Sequence, residues 1–337
     1  MKWRIIAIVA SLVPLVIIAL LLDVGPADII AVGIIPFALA GAAAVAKLLV
    51  QGVRFHYFIK KFVGPVTGLG GSILARTGSE FITLTTPAYT GGEFLRVAWL
   101  HKKGVHAGKG MWIITVEVIS DVMVGSTLSY IAAIWAFLAG NYLIATGIVV
   151  ITSPIFATYI VLLVMSSKKI LQLPKFTATV IGKFVGSTRA QKMTGTANDV
   201  LKGLCEMSRE NLHSSSLKIF AIGLALTFVG ASIHAVTFMI LANTIASVGF
   251  FESLMAVAAS VAIGTLPISP GGSGLSEFGI GAYLATFGLD ALSFGSIIIA
   301  WRVASYHVPL VISWFVLMKM AVSKLGDTST PTQSPSP

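Results

Sequence analysis

The chain has 337 residues, of which 56% are hydrophobic and 11% charged, with a formal net charge of +10. That balance excludes an ordinary soluble domain and points to an all-α polytopic membrane protein. Cys205 is the single cysteine, which excludes an intrachain disulfide, and no histidine pair has metal-ligand spacing with an acidic partner, so no metal or cofactor is expected.

Met1 to Arg4 precede the apolar run Ile5 to Leu22. That run is longer than a signal-peptide core and another apolar segment follows at once, so an uncleaved first span is expected. Ile29 to Val50, rich in Ala and Gly as packed membrane helices are, is the second span. Arg54 to Phe62 is basic and aromatic and suits a membrane interface. Residues 64–101 differ, carrying Arg76, Glu80, Glu93 and Arg96 around a break at Pro87 to Gly92. They predict a helical hairpin.

Gly110 to Leu138 spans again, with Glu117 and Asp121 in its first turns, and Tyr142 to Met165 returns. Residues 166–216 form a polar linker with eight Lys/Arg against three Asp/Glu and a short amphipathic helix expected at 198–210. Leu217 to Ile245 is the next span. A second hairpin, 252–288, is broken by the Pro, Gly and Ser of Leu266 to Glu277. Its arms are each shorter than the ~20 apolar residues a crossing needs. Ala291 to Val322 contains Arg302 and is expected to break near Ser305 to Pro309, since proline disfavours a straight helix. Gly326 to Pro337 is rich in Ser, Thr and Pro and is expected to be disordered. One transmembrane domain, 1–325, therefore consists of halves 1–165 and 217–325 joined by the basic linker.

Loop charges orient these segments. Lys2 and Arg4, then Arg54, Lys60 and Lys61, then Lys102, Lys103 and Lys109, the 166–216 linker, and finally Lys319 and Lys324 are the basic stretches. The intervening loops carry no Lys or Arg. By the positive-inside rule this fits about six full spans, with both termini in the cytoplasm, only if neither hairpin crosses. The first then opens to the cytoplasm and the second to the outside. Both breaks read Pro-x-x-x-Gly-Gly, at Pro87 to Gly92 and Pro267 to Gly272, and each is followed by a glutamate, Glu93 or Glu277. Three spans lie between them, so the two oppositely oriented re-entrant hairpins form an inverted repeat, the architecture in which broken helices build a midplane site.

Proline ends each incoming half-helix and glycine permits the turn. The outgoing half-helix then offers free N–H groups and a positive dipole end, which favour an anion. Thr90, Gly91, Gly92 and Glu93 at one tip, and Gly271, Gly272, Ser273, Gly274 and Glu277 at the other, are the candidate substrate-binding residues, with Arg76, Glu80, Arg96 and Arg302 at similar depth. A charge at the bilayer centre costs ~2.5–3.5 kcal/mol, so these residues call for partners or a wet cavity. Plainer roles exist. Thr90 to Glu93 has the form of a capping box; Arg76 with Glu80 and Glu93 with Arg96 have the spacing of helix ion pairs. Glu117 and Asp121 fit a cytoplasmic interface, or pairing with an arginine of the first hairpin. His234 and His307 fit helix packing better than ligation.

The segments Thr86 to Arg96, Pro267 to Glu277 and Trp301 to Tyr306 resemble the lysylphosphatidylglycerol synthase/flippase-like transmembrane family, over roughly Trp3 to Lys324. The family includes the flippase domain of the multiple peptide resistance factor and archaeal relatives linked to glycosylation. Ala88 stands where many relatives carry glycine. The resemblance implies a lipid-translocating core in which Glu93, Arg96, Glu277 and Arg302 are the functional polar residues. Nothing after Val322 is long enough for the soluble synthase domain of fused relatives, so the chain is not expected to make an aminoacylated lipid alone.

The favoured expectation is a transporter, not an enzyme, moving an anionic or aminoacylated phospholipid or a polyprenyl-phosphate-linked lipid between leaflets. Its partners would be anionic lipids of the cell membrane and not nucleic acid, with a separate lipid-modifying synthase or glycosyltransferase, and self-association, compatible with it. The alternatives are a membrane lipid (pyro)phosphatase using the same tips, a rhomboid-like protease using Ser273 with His307, and a scaffold acting through the basic linker.

Overall fold

The computed structural model of the chain describes residues 2–21, 23–87, 89, 91–168, 171–174, 176–212, 216–288 and 294–327. Among them there are helices and no strand. In chain order these are α1 (Lys2–Leu21), α2 (Pro26–Ala31), α3 (Ile34–Phe62), α4 (Leu69–Leu84), α5 (Gly92–Lys102), α6 (Ala107–Leu138) and α7 (Tyr142–Lys168). Then come α8 (Phe176–Val185), α9 (Ser187–Asn211), α10 (Leu217–Ala242), α11 (Phe250–Gly264), α12 (Leu275–Leu284), α13 (Gly295–Arg302) and α14 (Val308–Asp327).

Five of these segments are long and apolar enough to cross a membrane: Ile34–Phe62, Ala107–Leu138, Tyr142–Lys168, Leu217–Ala242 and Gly295–Ala321. The remaining expected span lies in α1. Leu143, Ile134, Leu138 and Val150 point outward, as side chains solvated by lipid do. Helix α3 runs for 29 residues, roughly 43 Å at 1.5 Å per residue, so it is one continuous rod where a span plus an interfacial segment was expected. The last long segment is likewise continuous. Its expected break is a π-helical turn at Val303–His307 that joins α13 to α14.

The short helices pair with one another and pack against the long ones. Helix α4 lies against α3 and α14, and α11 lies against α12, α6 and α10. One apolar core joins α6, α10, α11, α12 and α13, and a second joins α3, α5, α6 and α9. Between them, Phe81, Leu84, Tyr306 and Leu310 tie the end of α4 to the π-turn and α14.

The linker is more helical than expected, with α9 running for 25 residues against α6, α7 and α8. It meets α6 where glycine faces glycine: a Cβ on Gly203 would lie 2.9 Å from the Gly108 Cα. Gly203→Ala therefore forces the helices apart, and overpacking of this kind costs about 1–3 kcal/mol. Thermal unfolding should begin earlier in Gly203→Ala but not in Gly195→Ala, which adds the same methyl to the same helix in open space. Helix α14 continues through Asp327, and the rest of the expected disordered tail lies outside the described residues.

Candidate functional site

Both predicted breaks exist, and they touch. Helix α4 ends with Thr85 and Thr86 hydroxyls turned back onto carbonyls of its last turn, and Pro87 and Tyr89 (φ 54°) lead to Gly91 and α5. Helix α11 ends at Gly264, and Gly271, Gly272 and Gly274 all take positive φ before α12 begins. Pro87 and Pro270 form an antiparallel bridge, with the Gly271 N–H donating to the Thr86 carbonyl at 3.3 Å. The Tyr306 hydroxyl adds a 2.7 Å bond to the Leu84 carbonyl, and Tyr89 and Ser276 hydroxyls lie 3.4 Å apart.

Glycine is required at this junction. Gly271 has φ 54°, and a Cβ there would run into the Tyr306 ring and lie 2.8 Å from the Leu84 carbonyl oxygen. The left-handed backbone alone costs alanine roughly 1–2 kcal/mol. Gly271→Ala is expected to lower the unfolding temperature and separate the tips, whereas Gly70→Ala, in a helix with open space around it, should do neither. A cysteine pair placed across the tips and crosslinked in membranes would report the separation.

The two tips repeat one arrangement. At the first, Glu93 Oε2 accepts from the N-cap N–H of α5, at Gly91 (2.8 Å), and Oε1 accepts from Arg96 (3.2 Å). At the second, Glu277 Oε2 accepts from the N-cap N–H of α12, at Gly274 (2.7 Å), and Oε1 lies 2.8 Å from Arg302 Nε. This last contact is an ion pair by distance, but the N–H is not directed at the oxygen, and among the described residues neither atom has a hydrogen-bond partner. The capping role is thus real at both glutamates, and each also binds an arginine. Ala88 and Thr90 lie outside the described residues.

Around the first tip the charges converge on Glu117, which is fully buried. Its carboxylate accepts from Arg54 (3.2 Å), Arg76 (3.2 Å) and Arg96 (2.8 Å). Arg76 also pairs with Glu80 on its own helix. Arg54 also holds both oxygens of Asp121, at 2.5 and 2.9 Å, and the Thr227 hydroxyl. Of the two readings of Glu117, pairing with an arginine of the first hairpin is the one observed. Arg54, read from sequence as part of an interfacial segment, is buried within the protein. Three guanidinium groups thus share a site with four carboxylates, Glu80, Glu93, Glu117 and Asp121.

Arg302 organises the second tip. One terminal nitrogen donates to the Gly271 carbonyl (2.5 Å) and the Ser273 hydroxyl (3.2 Å), and the guanidinium lies 4.1 Å from the centre of the Tyr306 ring. The π-turn immediately after Arg302 places Tyr306 beneath it; such insertions recur at functional positions in helices. A guanidinium cannot accept the Ser273 proton, so the contact on that hydroxyl is not one that would activate a nucleophile. Next to this tip, Lys47 Nζ lies 3.2 Å from His234 Nδ1, and His234 stacks on Trp301.

Lys47 and Arg54 were missed as site residues, although their spacing of seven puts them on one face of α3, two turns apart. Among the described residues no group of His, Cys, Asp and Glu could hold a metal ion. An apolar cleft of about 260 Å³ opens between α6 and α10, lined by Met123, Thr127, Leu128, Leu224 and Phe228 among others.

Comparison with known proteins places the chain in a family. The family described as the lysylphosphatidylglycerol synthase TM region matches residues 4–313. A UPF0104 membrane protein of Archaeoglobus fulgidus is 26% identical over 232 residues, which cover 68% of this chain and 70% of that protein.

Proposed function

We infer a function from one premise: the chain belongs to the lysylphosphatidylglycerol synthase transmembrane-region family. On that premise it is a multi-pass membrane protein that moves a lipid headgroup from one leaflet to the other past the two joined tips. The observation that carries the reading is the contact between two broken helices, each with the same glycine cap, glutamate and arginine. In this reading α4–α5 and α11–α12 are re-entrant hairpins entering from opposite faces, and they form an inverted repeat. α1 joins the five long segments as a sixth span, and both termini lie in the cytoplasm. Opposed half-helices with buried charges suit an alternating-access site, since each tip can open to one leaflet while the other holds.

The substrate is a lipid with a phosphate in its headgroup: an anionic or aminoacylated phospholipid, or a polyprenyl phosphate. Its chains stay in the hydrocarbon, beside the apolar cleft between α6 and α10. Proteoliposomes carrying fluorescent lipids of several headgroups test this. Transfer of phosphate-bearing lipids to a quencher-accessible leaflet, above that of empty liposomes, is the expected result. Equal rates with and without protein for every headgroup would sink the reading.

A further inference from the structure

Glu277 is held more elaborately than a helix cap needs. One oxygen takes the N-cap N–H of Gly274, and the other faces Arg302, which also reaches the Ser273 hydroxyl. Both side chains are almost fully buried, Glu277 at 1% and Arg302 at 3% exposure. Even so, Arg302 Nε and Glu277 Oε1 lie side by side without a directed hydrogen bond. A helix N-terminal N–H, a hydroxyl and a guanidinium together make a donor set for the oxygens of a phosphate. The carboxylate spans two of these donors with its two oxygens, but it satisfies the guanidinium poorly.

Charge distinguishes the two tips. Among the described residues Arg302 has one carboxylate partner, Glu277, so displacing that side chain leaves the site with one uncompensated positive charge. At the first tip four carboxylates face three guanidiniums and the nearby Lys47 ammonium, and Arg96 keeps Glu117 even if Glu93 leaves. Displacing Glu93 leaves no guanidinium there without a carboxylate. The symmetry of the backbone is therefore not a symmetry of binding.

We propose that Glu277 holds the place of a lipid phosphodiester, in a phosphate site built from the Gly274 N–H, the Ser273 hydroxyl and the Arg302 guanidinium, and that the headgroup enters by displacing it. The proposal rests on the transport reading above and identifies which of the two tips takes the phosphate. Glu277 is then a resident competitor. It keeps Arg302 compensated while the site is empty and returns to expel the lipid.

The test titrates short-chain phosphatidylglycerol, with short-chain diacylglycerol as the phosphate-free control, into the purified full-length chain. Glu277→Gln keeps an oxygen for the helix cap but removes the competing charge. It should bind the phosphatidylglycerol roughly tenfold more tightly, the gain when a site free about one-tenth of the time becomes free throughout. Arg302→Gln should lose the preference for the phosphate-bearing lipid. Weaker or unchanged binding in Glu277→Gln overturns the proposal.

A measurement on the unaltered protein guards against a variant that misfolds. Phosphatidylglycerol should speed modification of Glu277 by a hydrophobic carbodiimide, because the displaced carboxyl leaves its arginine, and diacylglycerol should not. Protection, or no change, overturns it equally. If transfer between leaflets fails while these shifts hold, the transport reading falls and the phosphate site stands. If transfer is seen without them, the reverse holds.

Discussion

Glu117→Ala is expected to leave little folded protein to purify. Its carboxylate is the shared acceptor of Arg54, Arg76 and Arg96, at full burial. Removing one partner of a buried ion pair costs about 3–5 kcal/mol, because the remaining charge is stranded without water. Here one deletion affects three guanidiniums on α3, α4 and α5 together, and the whole stability of a domain is commonly only ~5–15 kcal/mol. Glu117→Gln keeps the shape and one acceptor and should give a folded but less stable protein. Asp121→Asn is the contrast. Asp121 binds the same Arg54 but has 46% of its side chain exposed, and Arg54 keeps Glu117 when Asp121 is neutralised. Unfolding followed by tryptophan fluorescence should rank the three as Asp121→Asn least affected, then Glu117→Gln, then Glu117→Ala. Equal losses would mean that Glu117 is not the hub.

The parts of this site that were legible in the sequence are those with a local cause. Pro87 and Pro267 follow the helix ends at Leu84 and Gly264, and Gly91, Gly271 and Gly274 reverse the chain, so both breaks could be placed from composition. The ion pairs Arg76–Glu80 and Glu93–Arg96 follow from helical spacing, and a capping role for Glu93 follows from the Thr90 to Glu93 spacing, although the N–H it takes is that of Gly91. What was not legible depends on which helices become neighbours. Arg54 sits just beyond the expected end of a span, beside Lys60 and Lys61, and basic residues there normally mark an interface. Only the crossing of α3 with α6 and α10 brings it to Glu117, Asp121 and Thr227. Glu117 and Asp121 share a helix face, yet one is fully buried and the other is half exposed, a difference set by α3, α4 and α5. The meeting of the tips is tertiary as well. The matching Pro-x-x-x-Gly-Gly frames suggested partnership but not the direct bond from Gly271 to Thr86.

Arg302→Lys tests whether the second tip needs a guanidinium or only a positive charge, and it is expected to cut lipid transfer by 10- to 100-fold. Lysine keeps the charge but cannot reach Gly271 O, Ser273 Oγ and Glu277 at once, nor lie flat on Tyr306. A hydrogen bond to a charged group contributes about 1.5–3 kcal/mol, and the loss of one such bond corresponds to this range of rates. Tyr306→Phe separates the two jobs of that ring. It retains the face beneath Arg302 and removes the hydroxyl that joins the tips through the Leu84 carbonyl. If the junction mainly aligns the tips, Tyr306→Phe should slow transfer for every headgroup alike. Arg302→Lys should instead discriminate, slowing phosphate-bearing lipids far more than any phosphate-free lipid that the protein moves. Equal losses across headgroups in Arg302→Lys would make the arginine a structural clamp, with its contacts to Gly271 and Tyr306 outweighing any contact with substrate.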